Sequence, residues 1–181
     1  AGSAYALRRK RFWWPLGLSS LPPMIFYLDV ATQQQLDASY ADTARLAPAG
    51  DPDSMTMRYE AERDILVLTC TVGGQLVLAF LRCAAPELGW FVPPLSASIP
   101  ASSGASHPFD YVLEAGKFVL LTGADNSAVY DIVPQPDPAL TWTVTRQPLA
   151  GVSMPTAHVA GKRWSYAPAV KAFVWMASSS S

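Results

Sequence analysis

Few residues in this 181-residue chain have the type and spacing to do chemistry. Two histidines, His107 and His158, come first, because a neutral imidazole serves as acid, base or metal ligand. A metal centre needs three or four ligands and a supporting shell of hydrogen bonds. No cysteine or carboxylate stands beside either histidine at a suitable spacing, so no metal site is expected. Asp125 and Asn126 are the next candidates for binding, although both suit a tight turn in which the side chain bonds its own main chain. Asp51 and Asp53 flank Pro52, a carboxylate pair of the sort that holds calcium or works as acid and base. Arg8-Arg9-Lys10-Arg11 is a cationic run without interleaved aromatics. It reads as a solvated turn rather than a phosphate site. Cys70 and Cys83 are too few for a disulfide framework and read as small buried apolar residues. No Gly-rich phosphate loop, nucleophile elbow or zinc-protease helix is present, and no cofactor is evident.

The elements that position these residues are legible from an internal repeat. Tyr5, Tyr59, Tyr111 and Tyr166 are separated by 54, 52 and 55 residues. Seven positions after each stands a large apolar residue, Phe12, Leu66, Phe118 or Phe173, opening a short apolar run. Two positions before three of the anchors stand Met57, Phe109 and Trp164. Trp90 and Trp142 each follow their anchor by 31 residues, and each precedes a Pro-Leu pair, Pro94-Leu95 or Pro148-Leu149. The first copy has Leu36 at that offset, which an insertion around Pro22-Pro23 explains.

Each unit reads as four short strands. The first carries the tyrosine and alternates polar with apolar. A charged or polar turn follows, at Arg8 to Arg11, Glu62 to Asp64, Glu114 to Lys117 and Ala169 to Ala172. The second strand is the apolar run, suited to burial on both faces. A third strand is expected at Leu76 to Phe80 and Ala128 to Val133, and a fourth beginning near the tryptophan. Residues 31–46 suit either one short helix or an elaborate loop. A strand that is apolar on both sides needs a sheet against each, and radially stacked four-stranded units supply that. The expected fold is therefore all-β: propeller blades of four antiparallel strands in an incomplete ring of about three and a half blades, at 1–50, 55–104, 107–153 and an unfinished 162–181.

Composition agrees. Half of the residues are apolar and 15% are charged, enough for a sizeable core. Sixteen prolines imply many short elements. A net charge of -1 gives no general attraction to nucleic acid or anionic membranes. No apolar stretch approaches the roughly 18 residues needed to span a bilayer. The chain opens on Ala1 rather than methionine, so its natural start is expected upstream, and a longer chain is expected to complete the ring.

The pattern resembles kelch-type repeats of galactose-oxidase-like propellers. In that family a glycine pair ends the second strand, and a tyrosine on the third strand and a tryptophan on the fourth follow. Gly73-Gly74 fits the pair, with Gly123 at the matching place in the next unit. Tyr130 and Trp142 fit the aromatics, with Phe80 and Trp90 in the unit before and Tyr27 in the first. The resemblance implies that His107 and His158, on connections between blades, share a ligand-binding face with the loops after the second strands. It suggests a recognition or scaffold module that binds a protein or a glycan. A metal-dependent oxidase with ligands partly outside this chain, and a structural part of a larger assembly, are the alternatives. The tyrosine–cysteine crosslink of galactose oxidase has no counterpart, since Cys70 has no identifiable tyrosine partner.

Overall fold

A computed structural model describes residues 4–16, 24–37, 55–72, 75–101, 107–122, 124–151 and 164–175. Among them the regular elements are fourteen strands and single turns of 3-10 helix. The first sheet is the meander β1 (Ala4–Ala6), β2 (Arg11–Leu16), β3 (Met24–Asp29) and β4 (Gln34–Asp37). The second is β5 (Thr56–Glu60), β6 (Ile65–Val72), β7 (Gln75–Arg82) and β8 (Trp90–Phe91). The third is β9 (Phe109–Val112), β10 (Lys117–Thr122), β11 (Asp125–Val133) and β12 (Thr143–Pro148). The fourth is a hairpin, β13 (Trp164–Ala167) and β14 (Ala172–Trp175). All pairings within the sheets are antiparallel. The first strands lie against one another in succession, β1 to β5, β5 to β9 and β9 to β13. The sheets thus share one inner edge and fan outward, as propeller blades do.

The seven-residue offset is a hairpin register. Tyr5 pairs with Phe12, Tyr59 with Leu66, Tyr111 with Phe118 and Tyr166 with Phe173. The turn between them repeats as well. Five residues after each tyrosine the backbone is left-handed, at Lys10, Asp64, Gly116 and Lys171, with φ of 51, 54, 58 and 49°. In three copies a 3-10 turn leads in, closed by Lys10 N–H to Leu7, Gly116 N–H to Leu113 and Lys171 N–H to Pro168. A side chain at such a position costs about 1–2 kcal/mol. Only Gly116 escapes that cost. At Asp64 it is offset by hydrogen bonds from Tyr59 Oη (2.8 Å) and Arg9 Nε (2.7 Å).

What joins the sheets is ring burial. Trp13 and Tyr27 of the first sheet pack with Leu66, Leu81 and Trp90 of the second. Phe80 of the second sheet lies 5.9 Å, centroid to centroid, from Trp142, which stands just before β12 of the third, and Trp142 lies parallel to Phe118 at 6.1 Å. These spacings are those at which aromatic pairs attract beyond their buried area. The buried indole N–H of Trp142 donates to the Pro138 carbonyl at 2.8 Å. Trp90 and Trp142 lie between neighbouring sheets, Trp90 in the first joint and Trp142 in the second. Ile65 to Cys70 of β6 are all buried, as a strand sandwiched between two sheets must be.

Three expectations need correction. Residues 34–37 are neither helix nor loop but strand β4, hydrogen-bonded to β3. Asp29 Oδ1 accepts from Ala31 and Thr32 N–H and turns the chain back, so pairing overrides the helical propensity of the Gln run. The rest of that segment, 38–46, lies outside the described residues. Asp125 and Asn126 open strand β11 instead of forming the turn, because Asp125 pairs with Thr122 across a register shift. Tyr130 is not equivalent to Tyr27 and Phe80. Those two stand opposite Trp13 and Val67, whereas Tyr130 stands opposite Leu120, one position on. It therefore faces the second sheet, and Asp131 occupies the equivalent site.

Trp142→Ala is expected to cost about 3–5 kcal/mol in urea denaturation, because it empties the joint between two sheets. Leu140→Ala, at a largely exposed residue of the same segment, should stay within about 0.5 kcal/mol. Equal effects would show that Trp142 is not a joint.

Candidate functional site

The candidate residues were expected at the end of the sheets where the second strands finish. His107 does lie there, just before β9, but it is fully buried. Its Nε2 is 3.1 Å from Thr71 Oγ1 near the end of β6, a hydroxyl that can turn to suit either tautomer. Its carbonyl accepts from Thr56 Oγ1 of β5 at 3.2 Å. Among the described residues Nδ1 has no hydrogen-bond partner. Loss of hydration lowers the imidazole to about 4, so the ring is neutral at pH 7. His107 is thus a clamp between the second and third sheets, rather than a side chain on an open loop. His158, Asp51 and Asp53 lie outside the described residues.

Asp125 is held from several directions. Arg146 of β12 donates through Nε to Oδ2 (2.7 Å) and through Nη2 to Oδ1 (3.2 Å). Tyr130 Oη donates to Oδ2 at 2.8 Å, and Ser127 donates its N–H and Oγ to Oδ1. These donors, Arg146 foremost, hold the carboxyl well below the usual carboxylate range. Asn126 follows in the same strand, and its side chain lies outside the described residues. The cysteines are buried, and burial pushes Cys70 to about 11 and Cys83 to about 12. Neither is a thiolate at pH 7.

The cationic run divides its work. Arg9 pairs with Asp64 of the second sheet, and Arg11 reaches Asp29 at 3.5 Å, while Lys10 forms the turn. Similar polar ties join the other sheets, at positions the sequence reading passed over. Asp110, immediately before an anchor tyrosine, accepts from Arg58 Nε (2.9 Å) at the same repeat position of the second sheet. It also accepts from Tyr166 N–H (2.7 Å) and Ser165 Oγ (3.1 Å) of the hairpin. Arg63 donates to the carbonyls of Pro134 and Gln135. The signal was present: opposite charges stand at one repeat position, Arg58 and Asp110.

One cleft opens between the third sheet and the hairpin, with a volume of about 590 Å³. Val112, Val119, Val129, Leu149, Tyr166 and Phe173 give it apolar walls. Lys117 Nζ and Gln147 Nε2 donate to Asp131 Oδ2 in its lining, at 2.7 and 3.3 Å. Asp131 occupies the site filled by Tyr27 and Phe80 in the first two sheets, so this junction is polar where the others are aromatic. The lining combines apolar walls with a neutralised ion pair.

The His107 ring predicts a pH dependence. Its proton binds the unfolded chain near 6.5 and the folded chain only near 4. Stability should therefore be full above pH 6.5 and decline as pH falls towards 4, by at most roughly 3 kcal/mol. Chemical denaturation of His107→Gln should lack this slope. The same slope in both proteins would assign it to another group.

No family model matches the chain. No curated protein matches it either. Among solved structures it is similar to the crystal structure of TolB from Acinetobacter baumannii, at 12% identity and a TM-score of 0.48. The likeness covers 86% of this chain and 35% of that one, so the chain spans about a third of TolB's length. At that score the likeness adds nothing to what the sheets themselves show.

Proposed function

We propose that this chain is a non-catalytic recognition module, a set of kelch-type propeller blades that binds another protein at the loop end and the cleft beside it. One observation carries the proposal. Each described group expected to do chemistry is already engaged in holding the scaffold together. His107 is buried against Thr71, Asp125 is tied to Arg146, and the thiols are buried and protonated. The anchor tyrosines serve packing and structural hydrogen bonds, Tyr59 to Asp64 for one.

The partner is argued from the cleft. Valine, leucine and phenylalanine walls suit the apolar side chains of a protein segment better than the hydroxyls of a glycan. The kelch assignment is supported by the positions of Gly73-Gly74 after β6, Trp90 at the start of β8 and Trp142 just before β12. Rigid blades with variable connections are a natural base for recognition.

Protein and glycan arrays probed with the chain and with Val129→Arg test this. A protein ligand lost in Val129→Arg, with unchanged circular dichroism, is the expected outcome. Micromolar glycan binding, or equal capture by both proteins, would overturn it. Stoichiometric copper lost in His107→Ala or His158→Ala would move the assignment to an oxidase.

A further inference from the structure

The joint between the second and third sheets is fastened differently at its two ends. At the end where β9 turns into β10 lie rings: Trp142 just before β12, Phe80 near the close of β7 and Phe118 near the start of β10. At the loop end the fastener is His107, two residues before β9 and fully buried. Its ring meets Thr71 Oγ1 of β6 at 3.1 Å, and its carbonyl accepts from Thr56 Oγ1 of β5 at 3.2 Å. The next carbonyl, of Pro108, accepts from Leu121 N–H of β10 at 2.9 Å. His107 and Pro108 are thus wedged between two sheets and belong to no strand of either.

The strands around this wedge give the ring no counter-charge. Arg58 of β5 pairs with Asp110 of β9 at 2.9 Å, Glu60 of β5 with Arg63 at 3.3 Å, and Lys117 of β10 with Asp131 at 2.7 Å. Burial keeps Tyr59, Tyr111 and, on β6, Cys70 protonated at neutral pH. At the loop end of the third sheet Asp125 is held by Arg146. Burial alone sets the acid–base balance of His107. The neutral ring is served by the Thr71 hydroxyl. An imidazolium has two N–H donors, and among the described residues Nδ1 has no acceptor. A buried charge left so must reach water.

We infer that His107 is an acid-released latch: when its ring takes a proton, His107 and Pro108 leave the joint, and the second and third sheets part at the loop end while the rings at the other end stay packed. Both sheets are flanked within this chain, so the latch does not depend on what adjoins the first or the last. It is also independent of what the loop end binds. The released ring holds its proton below about 6.5 and the latched ring only below about 4, so falling pH favours release between these values.

Amide hydrogen exchange by NMR from pH 7 to pH 4, expressed as protection factors and repeated in low urea, tests the latch. Leu121 N–H reports on the Pro108 contact, and Trp142 N–H, which donates to the Pro94 carbonyl at 2.8 Å, reports on the ring end. Leu121 protection should fall about 100-fold between pH 7 and pH 4. At pH 4 it should lie at least about tenfold below that of Trp142 and be indifferent to low urea, as a local opening requires. His107→Gln should keep Leu121 protected in acid. Leu121 protection that is constant with pH overturns the inference. So does acid loss that persists in His107→Gln, or that matches Trp142 in size and urea dependence. The imidazole proton shift of His107 in the unsubstituted chain serves should His107→Gln fail to fold. Its titration should coincide with the loss of Leu121 protection, and titration near pH 6.5 with Leu121 unchanged overturns the latch.

Discussion

Burial of large rings between consecutive sheets is the constraint on which this molecule depends. A four-stranded meander has two faces, and a central strand such as β6 is apolar on both. It cannot stand alone in water. Trp13, Trp90 and Trp142 fill the joints, and Phe80 and Phe118 each lie about 6 Å from Trp142. The shared inner edge follows, because the first strands must approach one another for the rings to meet. Each ring pair adds about 0.5–1.5 kcal/mol beyond its buried area, so a joint is stronger than a slip plane between flat sheets.

Polar ties then fix what the rings leave free. Apolar contact is nondirectional and permits sliding, whereas a carboxylate between specified donors does not. Asp64 fastens the first sheet to the second, and Asp110 fastens the second to the third and the third to the hairpin. The same groups would otherwise be candidates for chemistry. Their engagement explains how a chain with histidines, aspartates and tyrosines reads as a scaffold. The junction at the hairpin differs, since an ion pair of Lys117 and Asp131 stands in the lining of its cleft.

The strand plan was legible because it repeats. Tyrosine and its partner seven residues on form a hairpin pair in four copies, and such an offset survives degenerate sequence. The tryptophan joints were legible for the same reason. Local chemistry misled where pairing decided the outcome. The Gln-rich segment before Leu36 has helical propensity, yet β3 offered an edge. Tyr130 matches Phe80 by type but sits one residue out of register, which in a strand means the opposite face. The burial of His107 could not be read, because a connector's depth depends on the sheets on either side. Arg58 and Asp110 could have been found by comparing repeat positions for opposite charge.

Proton NMR of the indole of Trp142 asks whether the sheets are stacked as described. Stacked sheets require cross-relaxation from the Trp142 ring to both Phe80 and Phe118, which belong to different sheets. Contacts confined to Phe118 and its own sheet, with an indole open to solvent, would mean that the sheets do not pack in sequence order.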